Sequence, residues 1–219
     1  QEERHYEEWQ SLLEWLETAF PYAAQHGDVD GSSYGHEDDL GEGDMARILA
    51  QSKQEEDPDY PNKLLLKIMN EPLVESTVLA LEQLSYLKGE GIDDALISWL
   101  ETGKIHPLLQ FRTLQTLRRR GVEGTVRLVR GLETSMIEVD DIPLSSEDFP
   151  PQVSLVLERV ALQAEVHEPT LYYFAQELWS QFIMSIYGST DYSNILTGED
   201  GVLDIWAGAL HQIISESLN

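Results

Sequence analysis

The chain has 219 residues and an apolar content of 42%, enough for one large or two small domains with a buried core. Forty carboxylates stand against 14 lysines and arginines, and the formal charge of -26 opposes nucleic acid and anionic lipid, which bind through cationic neutralisation of phosphate. The sequence contains no cysteine, which excludes disulfides, thiolate zinc sites and cysteine nucleophiles and leads us to expect a reducing cytoplasm; it also contains no apolar run long enough for a membrane span. The chain opens on Gln1 with neither a basic nor an apolar leader behind it, so a fragment or a trimmed chain is expected.

Tyr6, Trp9, Leu13, Leu16 and Phe20 recur at three and four residues, with Glu7, Glu8, Glu14 and Glu17 on other faces, which predicts an amphipathic helix over 1–25. The next stretch, "HGDVDGSSYGHEDDLGEGD", raises the question of a calcium loop. Asp28, Asp30 and Ser32 supply the early oxygen ligands, but Ser33 stands where the turn needs glycine, and Asp39 is too short for the bidentate glutamate position. An acidic, Gly/Ser-rich linker over 26–60 is the better reading, interrupted by a short helix around Met45, Ile48 and Leu49. A second short helix is expected from Pro61 through Leu64, Leu65, Ile68 and Met69, ending before Pro72.

The remainder, 61–219, reads as a helical domain with internal repetition. "ESTVLALEQLSYLKGEGIDDALISWLETGK" and "HPLLQFRTLQTLRRRGVEGTVRLVRGLE" overlay at an offset of about thirty residues: Leu81 falls on Phe111, Leu84 on Leu114, Leu87 on Leu117, Gly91 on Gly121, Ile92 on Val122, Leu96 on Val126 and Trp99 on Val129. This predicts two helical hairpins, 72–103 and 107–135, each unable to bury its apolar face alone. Pro72 or Pro107 opening a helix, the apolar residues through its middle and "IDDALISWL" after the turn resemble HEAT-type helical repeats, with tetratricopeptide repeats as the neighbouring alternative. The resemblance covers roughly 72–135 and lacks a regular third copy. It implies an all-α fold, an alpha-alpha superhelix of stacked antiparallel helix pairs, whose usual work is to present a concave face to another macromolecule.

An acidic, proline-bearing loop is expected over 136–151, followed by C-terminal helices over 152–217. In "PTLYYFAQELWSQFIMSIYG" apolar side chains occupy nearly every face, so that helix is read as central or as covered by another chain, and homo-oligomerisation through 170–187 is a further expectation. A polar turn is expected at Gly188 to Gly198. The last helix should then carry Val202, Trp206, Leu210 and Ile213 on one stripe.

No chemistry-bearing motif stands out. The six histidines are scattered without helical zinc spacing, no serine sits in a nucleophile elbow and no phosphate loop is present, so no cofactor or metal is expected. Carboxylate pairs are uninformative in so acidic a chain. Against that background Arg112, Arg118, Arg119, Arg120, Arg127 and Arg130 place six of the 14 basic residues within nineteen positions. Arg112 and Arg119 should share a face of one helix, and Arg127 and Arg130 a face of the next. Internal pairing with neighbouring carboxylates is the stronger reading for them. As a surface they would take an acidic protein or peptide. The function expected is a non-enzymatic protein-interaction scaffold or adaptor. The rival is an all-helical enzyme or small-ligand binder with a pocket among the aromatic helices 153–217. A deep cavity with convergent polar groups would favour the rival, and an open groove edged by Arg118 to Arg130 the scaffold.

Overall fold

The computed structural model describes residues 42–70, 75–131, 133–164 and 169–218. The helix expected over 1–25 and the acidic stretch up to residue 41 lie outside the described residues. Gly41–Asn219 pack as one unit. It begins with α1 (Glu42–Glu56), α2 (Tyr60–Asn70), α3 (Glu75–Tyr86), α4 (Ile92–Glu101) and α5 (Pro107–Arg119). A hairpin of β1 (Thr125–Arg130) and β2 (Glu133–Glu138) follows, and then α6 (Pro151–Ala164), α7 (Pro169–Ile186), α8 (Thr190–Leu196) and α9 (Asp200–Leu218). The described residues are therefore mostly helical, with one small antiparallel sheet.

The helices from α2 to α5 form where periodicity places them. Leu64, Leu65 and Ile68 bury one face of α2, and Leu81 and Leu84 bury one face of α3. At the start of α5 Pro107 occupies the first turn, where its missing N–H costs nothing, and His106 Nδ1 accepts from the Leu108 amide at 3.2 Å. In α1 the small Ala50 is buried while Met45, Ile48 and Leu49, the residues that suggested the helix, are exposed.

Residues overlaid at the thirty-residue offset have similar burial and backbone through the first helix and the turn. Leu81, Leu84 and Leu87 are buried, as are Phe111, Leu114 and Leu117, and Gly91 and Gly121 share a left-handed backbone at φ 78° and 79°. Beyond the glycine the two copies part, because residues 125–138 form strands and not the second helix expected for a 107–135 hairpin. Val122, Val126 and Val129 are spaced as on a helix, but "TVRLVR" also alternates, and β-branched side chains on both strands favour the extended form. Gly131, at φ 58°, permits the two-residue connection, and Arg130 pairs with Glu133, Val126 with Ile137 and Thr125 with Glu138. Met136, Ile137 and Glu138, assigned from the sequence to an acidic loop, are thus in β2. Two 3-10 turns, Val139–Asp141 and Ser146–Asp148, follow, with Val139 and Ile142 fully buried. The polar turn expected at 188–198 contains α8, capped by Ser189, whose Oγ accepts from the Tyr192 amide at 3.3 Å.

The centre of the unit is α5, which packs against α3, α4, α7 and the 3-10 turn at Val139–Asp141. Phe111 on α5 meets Phe149 at 5.9 Å and Tyr187 at 5.1 Å between ring centroids, tying the middle of the chain to the end of α7. The helix α7, expected to be central or covered by another chain, buries Ala175, Trp179, Ile183 and Tyr187 against the unit and exposes Tyr173, Phe174 and Leu178. On its far side α6, α7 and α9 pack on one another, and Arg159 on α6 clamps the start of α9 through Asp200 at 2.6 Å and Asp204 at 3.0 Å.

Candidate functional site

The six arginines do not converge on one surface. Arg120 is a structural clamp, with only 8% of its side chain exposed: Nε donates to the Asp93 carboxylate, and Nη1 donates to the carbonyls of Leu84 at 2.7 Å and Leu87 at 2.6 Å. It thereby joins the end of α5 to the end of α3 and the acidic first turn of α4. Arg118 donates to the Ile142 carbonyl. Arg130, on a strand and not a helix, donates from Nε to Gln110 Oε1 at 2.7 Å, while its Nη1 and Nη2 are buried without a hydrogen-bond partner. Burial pushes the Arg130 guanidinium down to about 10. Arg127 is exposed and lies 3.5 Å from Glu101, also exposed. Arg127 and Arg130 are three positions apart on one strand and so fall on opposite faces of the hairpin.

Arg112 and Arg119 do meet, across a cleft of about 100 Å³ whose other walls are Val78, Leu81, Glu82 and Thr116. Arg112 Nη1 donates to Gln115 Oε1 at 3.1 Å, its Nε is buried without a partner, and burial first and the Arg119 charge second lower its pKa. Glu82 in the same lining supplies a carboxylate of its own, and the cleft is small for a peptide group.

The larger concavities lie among the C-terminal helices. A cavity of about 320 Å³ opens between α6, α7 and the Ser146–Asp148 turn, with Phe149, Leu157 and Ile183 below and Ser154, Gln176 and Ser180 at its polar edge. A groove of about 160 Å³ runs between α7 and α9, floored by Leu210 and walled by Leu178, Trp179 and Phe182 on one side and Trp206, Ala209 and Ile213 on the other; no polar surface lines it. Trp179 borders both, held in place because its indole N–H donates to the Val153 carbonyl at 2.9 Å. The groove walls are braced by ring contacts, Phe182 to Trp206 at 5.0 Å and Trp179 to Phe182 at 5.6 Å. Leu178 is 39% exposed and Ile213 53% exposed, so the apolar surface is open to solvent.

No family model, curated protein or solved structure matches the chain. Among the described residues no group of three or more His, Asp or Glu side chains is placed to hold a metal ion, and no helix is long and apolar enough to cross a membrane.

The groove was half visible in the sequence. Val202, Trp206, Leu210 and Ile213 form the apolar stripe that spacing gives the last helix, and the face that reaches the core is Leu203, Ala207, Leu210 and Ile214. Thus α9 carries two apolar stripes offset by about one residue, one for the core and one for the groove. Two stripes on one helix are the signal that marks an open apolar wall. The open groove has no arginine in its lining, so it is not the groove edged by Arg118 to Arg130 that would have favoured the scaffold.

Proposed function

We propose that this chain is a non-enzymatic protein-binding module, of scaffold or adaptor class, whose contact surface is the α7–α9 groove and not the arginine cluster. The observation that carries the reading is the solvent-open apolar lining formed by Leu178, Phe182, Trp206 and Ile213, with indole side chains at its centre. Aromatic anchors in an apolar patch of this kind supply most of the energy in protein interfaces. From Trp206 to Ile213 the wall spans two helical turns, about 10 Å, which suits the successive turns of an incoming helix. A helical-repeat ancestry accords with the shared glycine turn of Gly91 and Gly121, and a chain without cysteine accords with a cytoplasmic setting.

The test is co-purification from host lysate with the intact chain, a Leu178→Ser/Ile213→Ser variant and an Arg119→Glu variant. Proteins retained by the intact chain and by Arg119→Glu, and lost by the groove variant, support the reading. The reverse pattern returns the contact surface to the arginines. A second reading, a small-ligand binder, rests on the α6–α7 cavity, whose volume of about 320 Å³ reaches the lower end of small-molecule sites. Thermal-shift screening with Ser180→Trp as the blocked control tests it.

A further inference from the structure

We infer that the occupant of the α7–α9 groove is a cationic amphipathic helix of another protein, and this rests on the docking reading above. The observation is the charge carried by the groove's two wall helices. From residue 160 to the end the sequence contains no lysine or arginine; α7 carries Glu177, and α9 carries Asp200, Asp204 and Glu216. The last cation before it, Arg159, is engaged by Asp200 and Asp204. Glu216 lies one turn beyond Ile213 on α9, and it accepts from Gln212 at 2.9 Å, which leaves its carboxylate at the surface.

An apolar groove between two helices whose only formal charges are negative selects its partner by sign. A helix with leucine-like anchors on one face and lysines or arginines flanking them buries its anchors against Trp206, Phe182 and Ile213 while its cations meet the carboxylates. Opposite charge steers the encounter and like charge penalises the alternatives. The same field disfavours a second copy of this chain, whose formal charge is -26, and it disfavours an anionic membrane.

The experiment uses the full chain and three synthetic helical peptides of about 18 residues without tryptophan. Each has the same leucine face, and the polar face is lysine, glutamine or glutamate. Binding is read by anisotropy of labelled peptide at low and at physiological salt, and by the change in the emission of the chain's five tryptophans, two of which, Trp179 and Trp206, line the groove. The lysine peptide is expected to bind at least ten-fold more tightly than the glutamine peptide at low salt, with the advantage shrinking as salt screens it, and the glutamate peptide is expected not to bind. Leu178→Ser/Ile213→Ser should weaken the lysine peptide at least ten-fold. Met136→Ser, an exposed apolar-to-polar change on β2, should leave it unchanged.

If the glutamine peptide binds as tightly as the lysine peptide and the groove variant abolishes both, docking stands and the cationic choice is overturned. If the lysine peptide binds equally to the groove variant, the attraction is diffuse and the inference fails. If no peptide binds and emission is unmoved, the docking reading falls with it. If light scattering shows a dimer that the groove variant dissociates, the occupant is a second copy, and the inference is again overturned.

Discussion

Replacing Arg120 should cost far more stability than replacing its neighbour Arg119, although sequence alone treats them as equals. In Arg120→Met the Leu87 carbonyl loses the Nη1 donor that reached it at 2.6 Å. An acceptor stranded in a buried place costs about 1–3 kcal/mol. The Leu84 carbonyl loses its 2.7 Å bond but keeps the Leu87 amide at 3.3 Å, so its share is about 1 kcal/mol. The Asp93 side chain is 41% exposed and rehydrates, which limits the ion-pair share to about 1 kcal/mol or less. The sum is roughly 2–5 kcal/mol. For a urea slope near 2 kcal/mol per molar that is a fall of about 1–2.5 M in the unfolding midpoint. Arg119 is exposed, and Arg119→Met should stay within about 0.5 kcal/mol of the parent. Arg120→Lys keeps the charge without the forked donor and should fall between the two. Urea titration followed by far-UV circular dichroism decides it. Equal midpoints for Arg120→Met and Arg119→Met would refute the clamp. For the same reason a charge reversal at Arg118, Arg119 and Arg120 together would report on folding and not on partner binding.

Gly188→Ala should destabilise more than Gly121→Ala: both sites have a left-handed backbone, at φ 77° and 79°, but a methyl group at 188 would meet Ile137 Cδ1 at 2.5 Å, whereas nothing lies within 4 Å of one at 121. About 1 kcal/mol is expected at 121, and at least twice that at 188, from thermal unfolding. The Asp148 carboxylate accepts from the Ser145 and Leu144 amides, both at 2.9 Å, and these bonds hold its pKa below the usual value. Its stabilising effect is therefore complete above the unfolded-state pKa and is lost as pH falls through the lower folded value. The difference in urea midpoint between the parent and Asp148→Ala should be present at pH 7 and shrink as pH falls below the unfolded-state carboxyl value. Burial raises the pKa of the Tyr192 phenol, with Tyr187 adding to it at 4.9 Å between rings. Stability tied to Tyr192 is then intact below about pH 10 and is lost at higher pH. Alkaline unfolding should shift upward in Tyr192→Phe, and an unchanged midpoint would count against the burial argument.

Much of the helical part was legible because periodicity and turn residues agree. Pro107, the apolar positions of α5 and the glycine after it all point the same way, and Gly91 and Gly121 adopt the same backbone. The hairpin at 125–138 was missed because Val122, Val126 and Val129 satisfy helical spacing, while Val126 and Leu128 satisfy strand alternation over too few residues to separate the two. The arginine cluster was legible as composition only. Whether a guanidinium is a clamp or a surface depends on which carbonyls the fold brings to it, and Leu84, Leu87 and Ile142 are at least 24 residues away in sequence. The groove required knowing that two helices meet along their second-best apolar faces. No single segment states that.

The buried polar side chains of α5 bear on why one arrangement is chosen. Gln110 donates to the Val129 carbonyl at 2.8 Å and Gln115 to the Pro143 carbonyl at 2.7 Å, two bonds to two different segments, while Thr116 Oγ1 lies between the Arg112 carbonyl of its own helix at 3.0 Å and the Leu81 carbonyl at 3.2 Å. Leucine side chains alone would tolerate a slide of the helix by one turn, about 5.4 Å, since new leucines would replace the old. The two amides would not, because such a slide takes each from its carbonyl and strands it in a dry interior. The helix is keyed like an indexed shaft. A variant with apolar residues at 110, 115 and 116 could match the parent in melting temperature while sampling several packings, a loss visible as broadened methyl resonances long before any loss of helix.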